Sequence, residues 1–384
     1  MIQINNPEDC CGCTACANIC NHNAISMQPD ALGFLYPTVN QDKCTQCGLC
    51  DKVCSFSESY DKSLNLTLPQ AYAARHREMQ EVETSRSGGA FIALSDWVLE
   101  QGGVVYGVGY ADHFRVVHKR ATTREERNEF KGSKYVQSDL GATFRQVKLD
   151  LSKGLPVLFS GTPCQTSGLN AYLSKHLKEK LYLIDIVCHG VPSPYIWRDY
   201  IAFLEKKEGK QISAVNFRDK DKFGWKAHVE SYHFSTKKIY SNTFTDLFHQ
   251  HLILRYSCRK CYFTNLKRPS DITIADFWGW EKTDPHFNED DKGCSLIICN
   301  TLKGEEWLSH SKVDLILKEA RLGDCLQPNL EHPTLFNTKR NEFEQDYQKK
   351  GFRFVKNKYY RNSWKYKINK RLENLKKKVK LFID

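Results

Sequence analysis

Nine of the 16 cysteines lie between residues 10 and 54, and eight of these nine repeat one spacing. The first run is Cys-x2-Cys-x2-Cys-x3-Cys, and the second run repeats it 34 residues later. The eight are Cys10, Cys13, Cys16, Cys20, Cys44, Cys47, Cys50 and Cys54. Three cysteines two residues apart can wrap a loop around three corners of a [4Fe–4S] cube, whose fourth ligand comes from elsewhere. The spacing therefore predicts two [4Fe–4S] clusters, which carry single electrons.

The fourth ligand of each predicted cluster comes from the other run. In two-cluster ferredoxins the last cysteine of each run serves the other cluster. Cys54 would then complete the first cluster, and Cys20 would complete the second. The alternative is a zinc module, but zinc prefers pairs of Cys-x2-Cys with four ligands for each ion. Cys11 falls outside the spacing, and we expect a packed or spare thiol there.

Four further cysteines could form a third site. Cys164 follows a Gly-Thr-Pro turn, Cys188 ends an apolar strand, and Cys258 and Cys261 form a single Cys-x2-Cys pair. By spacing alone these residues fit equally well as zinc ligands, as a redox dithiol or as packed thiols. The remaining three cysteines lie outside these motifs.

The composition limits the class of protein. A chain of 384 residues is long enough for two or three domains, and 41% hydrophobic residues are typical of a folded chain. We identify neither a secretory signal nor an apolar run that could span a membrane. We therefore expect a cytoplasmic protein, in which thiols bind metal rather than pair as disulfides.

The elements that must position the cysteines change along the chain. Residues 1–58 contain both cysteine runs, and the polar segment 59–69 is typical of a linker. From residue 70 to residue 335, predicted strands alternate with predicted helices, which favours an α/β or mixed α+β domain. Residues 336–384 form a basic C-terminal extension.

Two glycine-rich turns precede predicted helices. In the first, residues 84–91, Ser85 or Ser87 could cap the helix, and its free N–H groups could hold a phosphate or pyrophosphate. An ordinary capped helix is the equal alternative. The second turn, residues 159–165, follows a predicted strand and places Cys164 at the edge of the sheet where α/β proteins usually bind ligands. Neither turn matches the G-x-G-x-x-G or Walker A pattern.

Seven sequence blocks in one order resemble the beta subunits of coenzyme F420 hydrogenases and dehydrogenases. Some members of this family also have a ferredoxin-like front end. The resemblance covers about residues 1–330. The blocks are residues 33–37, 87–91, 131–138, 160–165, 188–193, 258–261 and 268–279.

The resemblance implies a flavin, usually FAD, beside a third [4Fe–4S] cluster in residues 70–335. It implies that Cys164, Cys188, Cys258 and Cys261 hold this cluster. The implied flavin contacts are Ser85, Ser87, Gly88, Gly89, Lys134, Tyr135, Gln137, Gly161, Thr162 and Pro163. His189 is a candidate proton donor, and the alternative is a histidine that bonds only to backbone. For Asp271 and Asp276 we favour a structural role.

These cofactors predict an iron–sulfur flavoprotein oxidoreductase. Clusters pass one electron at a time, whereas a flavin accepts single electrons and delivers a hydride pair. A protein that donates or accepts electrons is therefore an expected partner. Deazaflavin is one possible substrate, and relatives beside surface-polysaccharide genes suggest a sugar-linked or lipid-linked one. The alternative is a ferredoxin-type electron carrier that docks a partner enzyme without performing catalysis.

The positive charge of the chain is concentrated at its C-terminus. Of the net charge of +11, +9 lies in residues 355–384. Apolar residues at helical spacing within residues 362–384 predict an amphipathic helix with a lysine-rich face. This helix could bind an anionic surface at the inner face of the membrane, or it could pack on its own domain. Nucleic acid is not an expected partner, because we identify no basic groove in the body.

Overall fold

The computed structural model describes residues 1–56, 68–364 and 366–368. These residues form a small N-terminal module and a larger body that mixes helices with strands, so the predicted mixed class is confirmed. The predicted linker at 59–69 and the predicted amphipathic helix at 362–384 lie largely outside the described residues. In the part of the chain that is described, no helix is both long and apolar enough to cross a membrane.

The N-terminal module consists of a hairpin and two short helices. Its elements are α1, Ala15–Ile19; β1, Ile25–Pro29; β2, Leu35–Val39; and α2, Leu49–Lys52. The two strands pair antiparallel. Each helix carries the third cysteine of one run, Cys16 or Cys50, and each follows a left-handed residue, Thr14 (φ 63°) or Gly48 (φ 74°). The repeated spacing therefore corresponds to a repeated turn-and-helix structure.

Within the described residues, the body is built on an eight-stranded mixed sheet and a separate three-stranded sheet. The strands of the body are β3, Gln70–His76; β4, Val104–Ala111; β5, Arg115–Ala121; β6, Val157–Gly161; β7, Leu181–Ile186; β8, Ile212–Asn216; β9, Glu230–Phe234; β10, Lys238–Ser241; β11, Ile272–Asp276; β12, Ser295–Cys299; and β13, Leu315–Ala320. The large sheet has the order β13-β3-β12-β11-β7-β6-β4-β5, and the small sheet has the order β10-β9-β8.

Helices lie between most of these strands. They are α3, Met79–Thr84; α4, Ala90–Glu100; α5, Arg124–Asn128; α6, Thr143–Ser152; α7, Pro163–Tyr172; α8, Pro194–Glu208; α9, Lys220–Phe223; α10, Thr243–His249; α11, Trp280–Thr283; α12, Leu302–Ser311; and α13, Arg340–Tyr359. The alternation of strands and helices is the pattern that the sequence predicted.

Three neighbouring parallel strands end at one edge of the large sheet. Gly161 of β6 pairs with Asp185 of β7, and Asp185 pairs with Thr273 of β11. Because parallel strands present their carboxyl ends on the same side, the segments that follow them converge. These segments begin with Thr162, with Val187 and Cys188, and with Phe277 and Trp278.

A buried ion pair holds this edge together. Arg268 and Asp185 are both fully buried, and Arg268 Nη2 lies 3.0 Å from Asp185 Oδ1. The Thr273 hydroxyl also donates to Asp185 Oδ1, at 2.7 Å, and Arg268 donates to the carbonyls of Phe263 and Ile186. This network joins β7 and β11 to the loop that follows Cys261.

Apolar cores cover both faces of the large sheet. On one face, Leu94 of α4 and Trp307 of α12 share a core with the sheet. On the other face, Phe144 of α6 lies in one core with Ala15 and Val53 of the N-terminal module. The module is therefore fixed to the body by apolar burial.

A third core surrounds α8. Ser193 caps this helix, because its hydroxyl accepts the N–H of Ile196 at 3.1 Å. Trp197 of α8 lies in the same core as Phe343 and Val355 of α13. Helix α13 belongs to the predicted C-terminal extension, and it packs on the body here. The predicted boundary at residue 335 stays a prediction.

Candidate iron–sulfur sites and the adjoining cavity

The four cysteines predicted for the first cluster line one small cavity. They are Cys10, Cys13, Cys16 and Cys54. The structure thus brings Cys54, from the end of the second run, to the first run. Ile2, Ile4 and Met27 also line this cavity and surround the sulfurs with apolar side chains.

The four cysteines predicted for the second cluster line another small cavity. They are Cys20, Cys44, Cys47 and Cys50. The N–H of Ile2 donates to Cys50 Sγ at 3.2 Å, and the N–H of Ala24 donates to Cys20 Sγ at 3.3 Å. Such bonds stabilise the negative charge of a cluster and tune its potential. Cys47 is exposed, so this site reaches the protein surface.

The third set of cysteines also lines one cavity. Its members are Cys164, Cys188, Cys258 and Cys261. Cys164 lies in the first turn of α7, where the side chain of Gln165 accepts the N–H of Thr162 at 3.0 Å and fixes the start of the helix. Cys188 follows the neighbouring strand β7, and the other two cysteines lie in or beside the turn Tyr256–Lys260.

Backbone N–H groups also reach this third set. Gly190 donates to Cys188 Sγ and Val191 donates to Cys258 Sγ, each at 3.4 Å. Burial raises the pKa of the Cys258 thiol to about 12 and that of Cys261 to about 11. Buried thiols of this kind ionise when a metal binds them.

The three cavities have the chemistry that [4Fe–4S] cubes require. Each contains the four cysteines of one predicted set, and four thiolates are the usual ligand set of such a cluster; Cys11 also lines the first and third cavities. Among the described residues, no group of three or more His, Cys, Asp or Glu side chains is placed to hold one metal ion. All 16 cysteines are described, and none forms a disulfide.

Cys11 lies between the first and third cavities. Its buried side chain lines both of them. Helix α7 also packs closely against the first cysteine set, since a Cβ added to Gly168 would lie 2.7 Å from Cys13 Sγ. The predicted spare thiol therefore stands where the two sites meet.

Arg255 joins the N-terminal module to the body near the same point. This fully buried side chain donates to the carbonyls of Cys10 (2.8 Å) and Leu35 (2.9 Å) and to Gln137 Oε1 (2.9 Å). Gln137 in turn donates to the carbonyl of Cys11 at 2.8 Å. Gln137 was expected to contact a flavin, but its described contacts lie in this junction.

A cavity of about 490 Å³ opens beside the third cysteine set, at the carboxyl ends of β6, β7 and β11. Cys188, Gly190, Val191 and Asn329 line both cavities and form the wall between them. The predicted residues that line the large cavity are Ser85, Ser87, Gly89, Lys134, Tyr135, Gly161, Thr162 and His189.

Two further predicted flavin contacts lie outside the lining of the large cavity. Gly88 packs against the backbone of β3, and a Cβ there would lie 2.2 Å from the carbonyl oxygen of Ala74. Pro163 lines the third cysteine cavity instead. Lys134 lines the large cavity, but its Nζ donates to the carbonyls of Glu129 and Lys131, and burial lowers its pKa to about 7.

His189 bonds to two side chains. The Thr334 hydroxyl donates to the carbonyl of His189 and accepts from Asn329 Nδ2, so Asn329 Oδ1 accepts from His189 Nδ1 at 3.0 Å. His251 Nδ1 donates to the carbonyl of Leu335 at 2.7 Å. The Nε2 atoms of the two histidines then face each other at 2.8 Å. A hydrogen bond between them requires one shared proton.

Comparison with known families finds one match in the body and one in the N-terminal module. Residues 155–322 match the model for the C terminus of the beta subunit of coenzyme F420 hydrogenase/dehydrogenase. Residues 9–57 match that of a 4Fe-4S dicluster domain. The predicted resemblance to the F420 hydrogenase/dehydrogenase beta subunits is thus confirmed over residues 155–322. The chain is therefore an iron–sulfur electron-transfer protein related to these oxidoreductase subunits.

One solved structure similar to this chain is that of the F420-reducing [NiFe] hydrogenase complex from Methanosarcina barkeri, studied by xenon derivatization. The sequences are 17% identical, the TM-score is 0.47, and the match covers 76% of this chain and 92% of that chain. No curated protein matches the chain.

One wall of the large cavity is formed by residues that were not among the predicted site residues. Arg86, Arg218, His228, His249 and Trp278 line it. Arg86 lies inside the predicted turn at residues 84–91, and Trp278 lies inside the sequence block at residues 268–279. The other three residues belong to no motif. Residue type alone gave no signal for them, because their neighbours along the chain differ from their neighbours in space.

Proposed function

We propose that the chain is an iron–sulfur flavoprotein oxidoreductase, in which three clusters supply single electrons to a flavin in the large cavity. One observation carries this proposal: the third cysteine set and the large cavity share the wall formed by Cys188, Gly190, Val191 and Asn329. A one-electron site and a ligand cavity in contact are the arrangement that flavin-dependent electron transfer needs.

The twelve cysteines would bind the clusters in three sets. The contacts described above order these sets from the surface inwards. The set with the exposed Cys47 lies in the N-terminal module, beside the set that contains Cys13. Cys11 lines both the cavity that contains Cys13 and the cavity that contains Cys164 of the third set. Electrons would therefore enter from a protein partner near Cys47 and pass inwards to the cavity.

The cavity offers groups that suit a flavin. The amino end of α4 lies at its wall, with Gly89 in the left-handed conformation (φ 84°), and a helix amino end attracts phosphate. Tyr135 and Thr162 would contact the bound cofactor, and FAD is the form that the family implies. When bound, the flavin would supply the conversion between single electrons and a hydride pair.

His189 would provide a proton to the reaction in the cavity. It lines the cavity next to Cys188, and its Nε2 lies 2.8 Å from His251 Nε2. The Asn329 amide fixes the ring, since Nδ1 is held at 3.0 Å. Burial and the neighbouring His251 lower the pKa of His189, so a proton taken up between the two Nε2 atoms would be released readily next to Cys188.

The test is anaerobic purification with iron, acid-labile sulfide and flavin measured together. We expect about twelve irons per chain, from three four-iron clusters, and about one flavin. Cys188→Ser should remove about four irons, whereas Cys294→Ser should remove none, since Cys294 is buried in the core. About eight irons in the wild type would eliminate the third cluster.

The flavin measurement separates the proposal from its alternative. A full iron complement with no flavin, and no uptake of FAD on reconstitution, would reject the flavoprotein. That result would instead favour a ferredoxin-type electron carrier.

A further inference from the structure

One wall of the large cavity carries more positive than negative charge. Arg218 Nη1 pairs with Asp276 Oδ2 at 2.5 Å, and Arg86 Nε lies 4.0 Å from the same oxygen. The side chains of Arg86, Arg218 and Asp276 are only 12%, 1% and 14% exposed. Two arginines thus share one carboxylate in a place with little water to screen them.

The positive charge contributes to lowered pKa values in neighbouring basic groups. Burial, followed by the charge of Arg86, lowers the pKa of Lys220 to about 7. Burial lowers the pKa of Arg86 to about 10, and Arg218 contributes in the same direction while Asp276 opposes it. Burial and Arg218 lower the pKa of His228 to about 3. Each of these groups would be relieved by an additional anion.

Hydrogen-bond donors at this wall are held ready for a ligand. Arg86 donates to the carbonyls of Arg218 (3.3 Å) and Trp225 (2.7 Å). A guanidinium group has five N–H donors, so others remain for a ligand. Among the described residues, Arg86 Nε and His228 Nδ1 are buried atoms with no hydrogen-bond partner. His249 lies beside His228, with ring centroids 5.0 Å apart. Buried donors without partners usually mark a bound group or water.

A flat apolar surface adjoins the charges. Trp278 stacks on Trp225 with ring centroids 4.6 Å apart and lies 5.4 Å from the Arg218 guanidinium. Its side chain lines the cavity, and the residue is 39% exposed. The wall therefore combines fixed positive charge with an aromatic face.

We infer that this wall is an oxyanion subsite, which binds a phosphate or carboxylate group through Arg86, Arg218 and His228. Planar guanidinium groups suit such anions because they donate paired hydrogen bonds. The anion belongs either to the substrate or to the diphosphate of the flavin. The inference deepens the proposed function, but the subsite itself can be tested without a flavin.

The first experiment measures the binding of inorganic pyrophosphate to the full-length chain by titration calorimetry. Arg86→Gln should weaken binding about tenfold or more, the loss typical of one charged donor. Asp276→Asn should tighten it, because the competing carboxylate is removed while a carbonyl remains for Trp225 Nε1, now 3.2 Å away. A misfolded variant could not bind more tightly.

The control is Arg120→Gln. Arg120 also pairs with a carboxylate, Asp150 at 2.7 Å, but it does not line the cavity. Its loss should leave pyrophosphate binding unchanged. No saturable binding to the wild type, or equal affinity in wild type, Arg86→Gln and Asp276→Asn, would overturn the subsite.

The second experiment identifies the source of the anion. It compares the affinities of FAD and riboflavin by the quenching of flavin fluorescence. If the anion is the flavin diphosphate, Arg86→Gln weakens FAD about tenfold and leaves riboflavin unchanged. If it belongs to a substrate, both flavins bind Arg86→Gln as they bind the wild type, and pyrophosphate still binds the FAD-loaded chain. A wild type that binds no flavin would reject the proposed function, while the pyrophosphate data would still decide the subsite.

Discussion

Arg268 and Asp185 show how single residues can hold the site without touching it. Both are fully buried, and their ion pair joins the ends of β7 and β11 to the loop after Cys261. A buried ion pair adds little net stability over an apolar pair, but removing one partner leaves an uncompensated charge.

We expect Arg268→Met to lower the free energy of unfolding by about 3–5 kcal/mol, because Asp185 would remain buried without its partner. Urea denaturation with the clusters in place would measure the loss. Lys226→Met breaks the exposed pair with Glu281, whose side chains are 62% and 48% exposed, and should change stability little. A similar small effect in both variants would contradict the structural role of Arg268.

Glu230 predicts a pH dependence of stability. Burial raises the pKa of this fully buried carboxyl from its ordinary 4.5 to about 7. Between these values the folded state binds the extra proton, so stability falls as the pH rises, by about 3 kcal/mol for this group. A glutamine at this position does not titrate, so the fall in stability between pH 4.5 and 7 should disappear in Glu230→Gln.

Urea titrations at several pH values would test Glu230. Glu306→Gln, at a side chain 75% exposed, is the matched control and should follow the wild type. A Glu230→Gln profile that runs parallel to that of the wild type would rule out the predicted titration.

At the scale of elements, the contact between α7 and the N-terminal module sets the distance between two candidate cluster sites. Gly168 lies in the middle of α7, and its missing side chain leaves room for Cys13. An alanine usually stabilises a helix relative to glycine, by about 1 kcal/mol. Any loss of iron in Gly168→Ala would therefore come from the contact with Cys13 and not from a weaker helix.

We expect Gly168→Ala to displace Cys13, because the added Cβ would lie 2.7 Å from its sulfur. The iron content should fall by up to about four per chain. Gly323→Ala is the control, since its Cβ would meet nothing within 4 Å. Iron and sulfide assays on anaerobic protein would compare the two variants, and an unchanged content in Gly168→Ala would contradict the tight contact.

At the scale of the whole molecule, the fold places three candidate sites in sequence between the surface and the cavity. The outermost contains the exposed Cys47, and the innermost shares Cys188 with the cavity wall. Apolar contacts of Ala15 and Val53 with the core beside α6 and α7 fix the module in this position. The proposed electron route therefore depends on how the module docks on the body.

We expect Cys47→Ser to slow the reduction of the bound flavin by a low-potential protein donor at least about tenfold, because the first cluster of the route would be damaged. Reduction by dithionite, a small molecule that can reach the cavity directly, should change much less. Stopped-flow absorbance under anaerobic conditions would record both. Equal rates of wild type and variant with the protein donor would place electron entry elsewhere.

The sequence by itself determined the two cysteine runs and their repeated spacing. The structure places Cys54 with the first run, Cys20 with the second run, and Cys164 with Cys188, Cys258 and Cys261. Local spacing predicted these two runs because a cubane cluster restricts how far apart its ligands can be along a loop, whereas the grouping of the third set was implied by the family resemblance. The alternation of strands and helices likewise predicted the mixed fold, since the hydrophobic period is a local property.

Only the tertiary structure decided which other side chains meet. It placed Gln137 in a junction with Arg255 and brought Arg86 to Arg218 across 132 residues of chain. It also placed Cys11, predicted to be a packed or spare thiol, in the lining of two cavities at once. The physical reason is that burial and charge act through space. The sequence therefore specified what could bind the clusters, and the packing of the module and the converging strands decided what surrounds them.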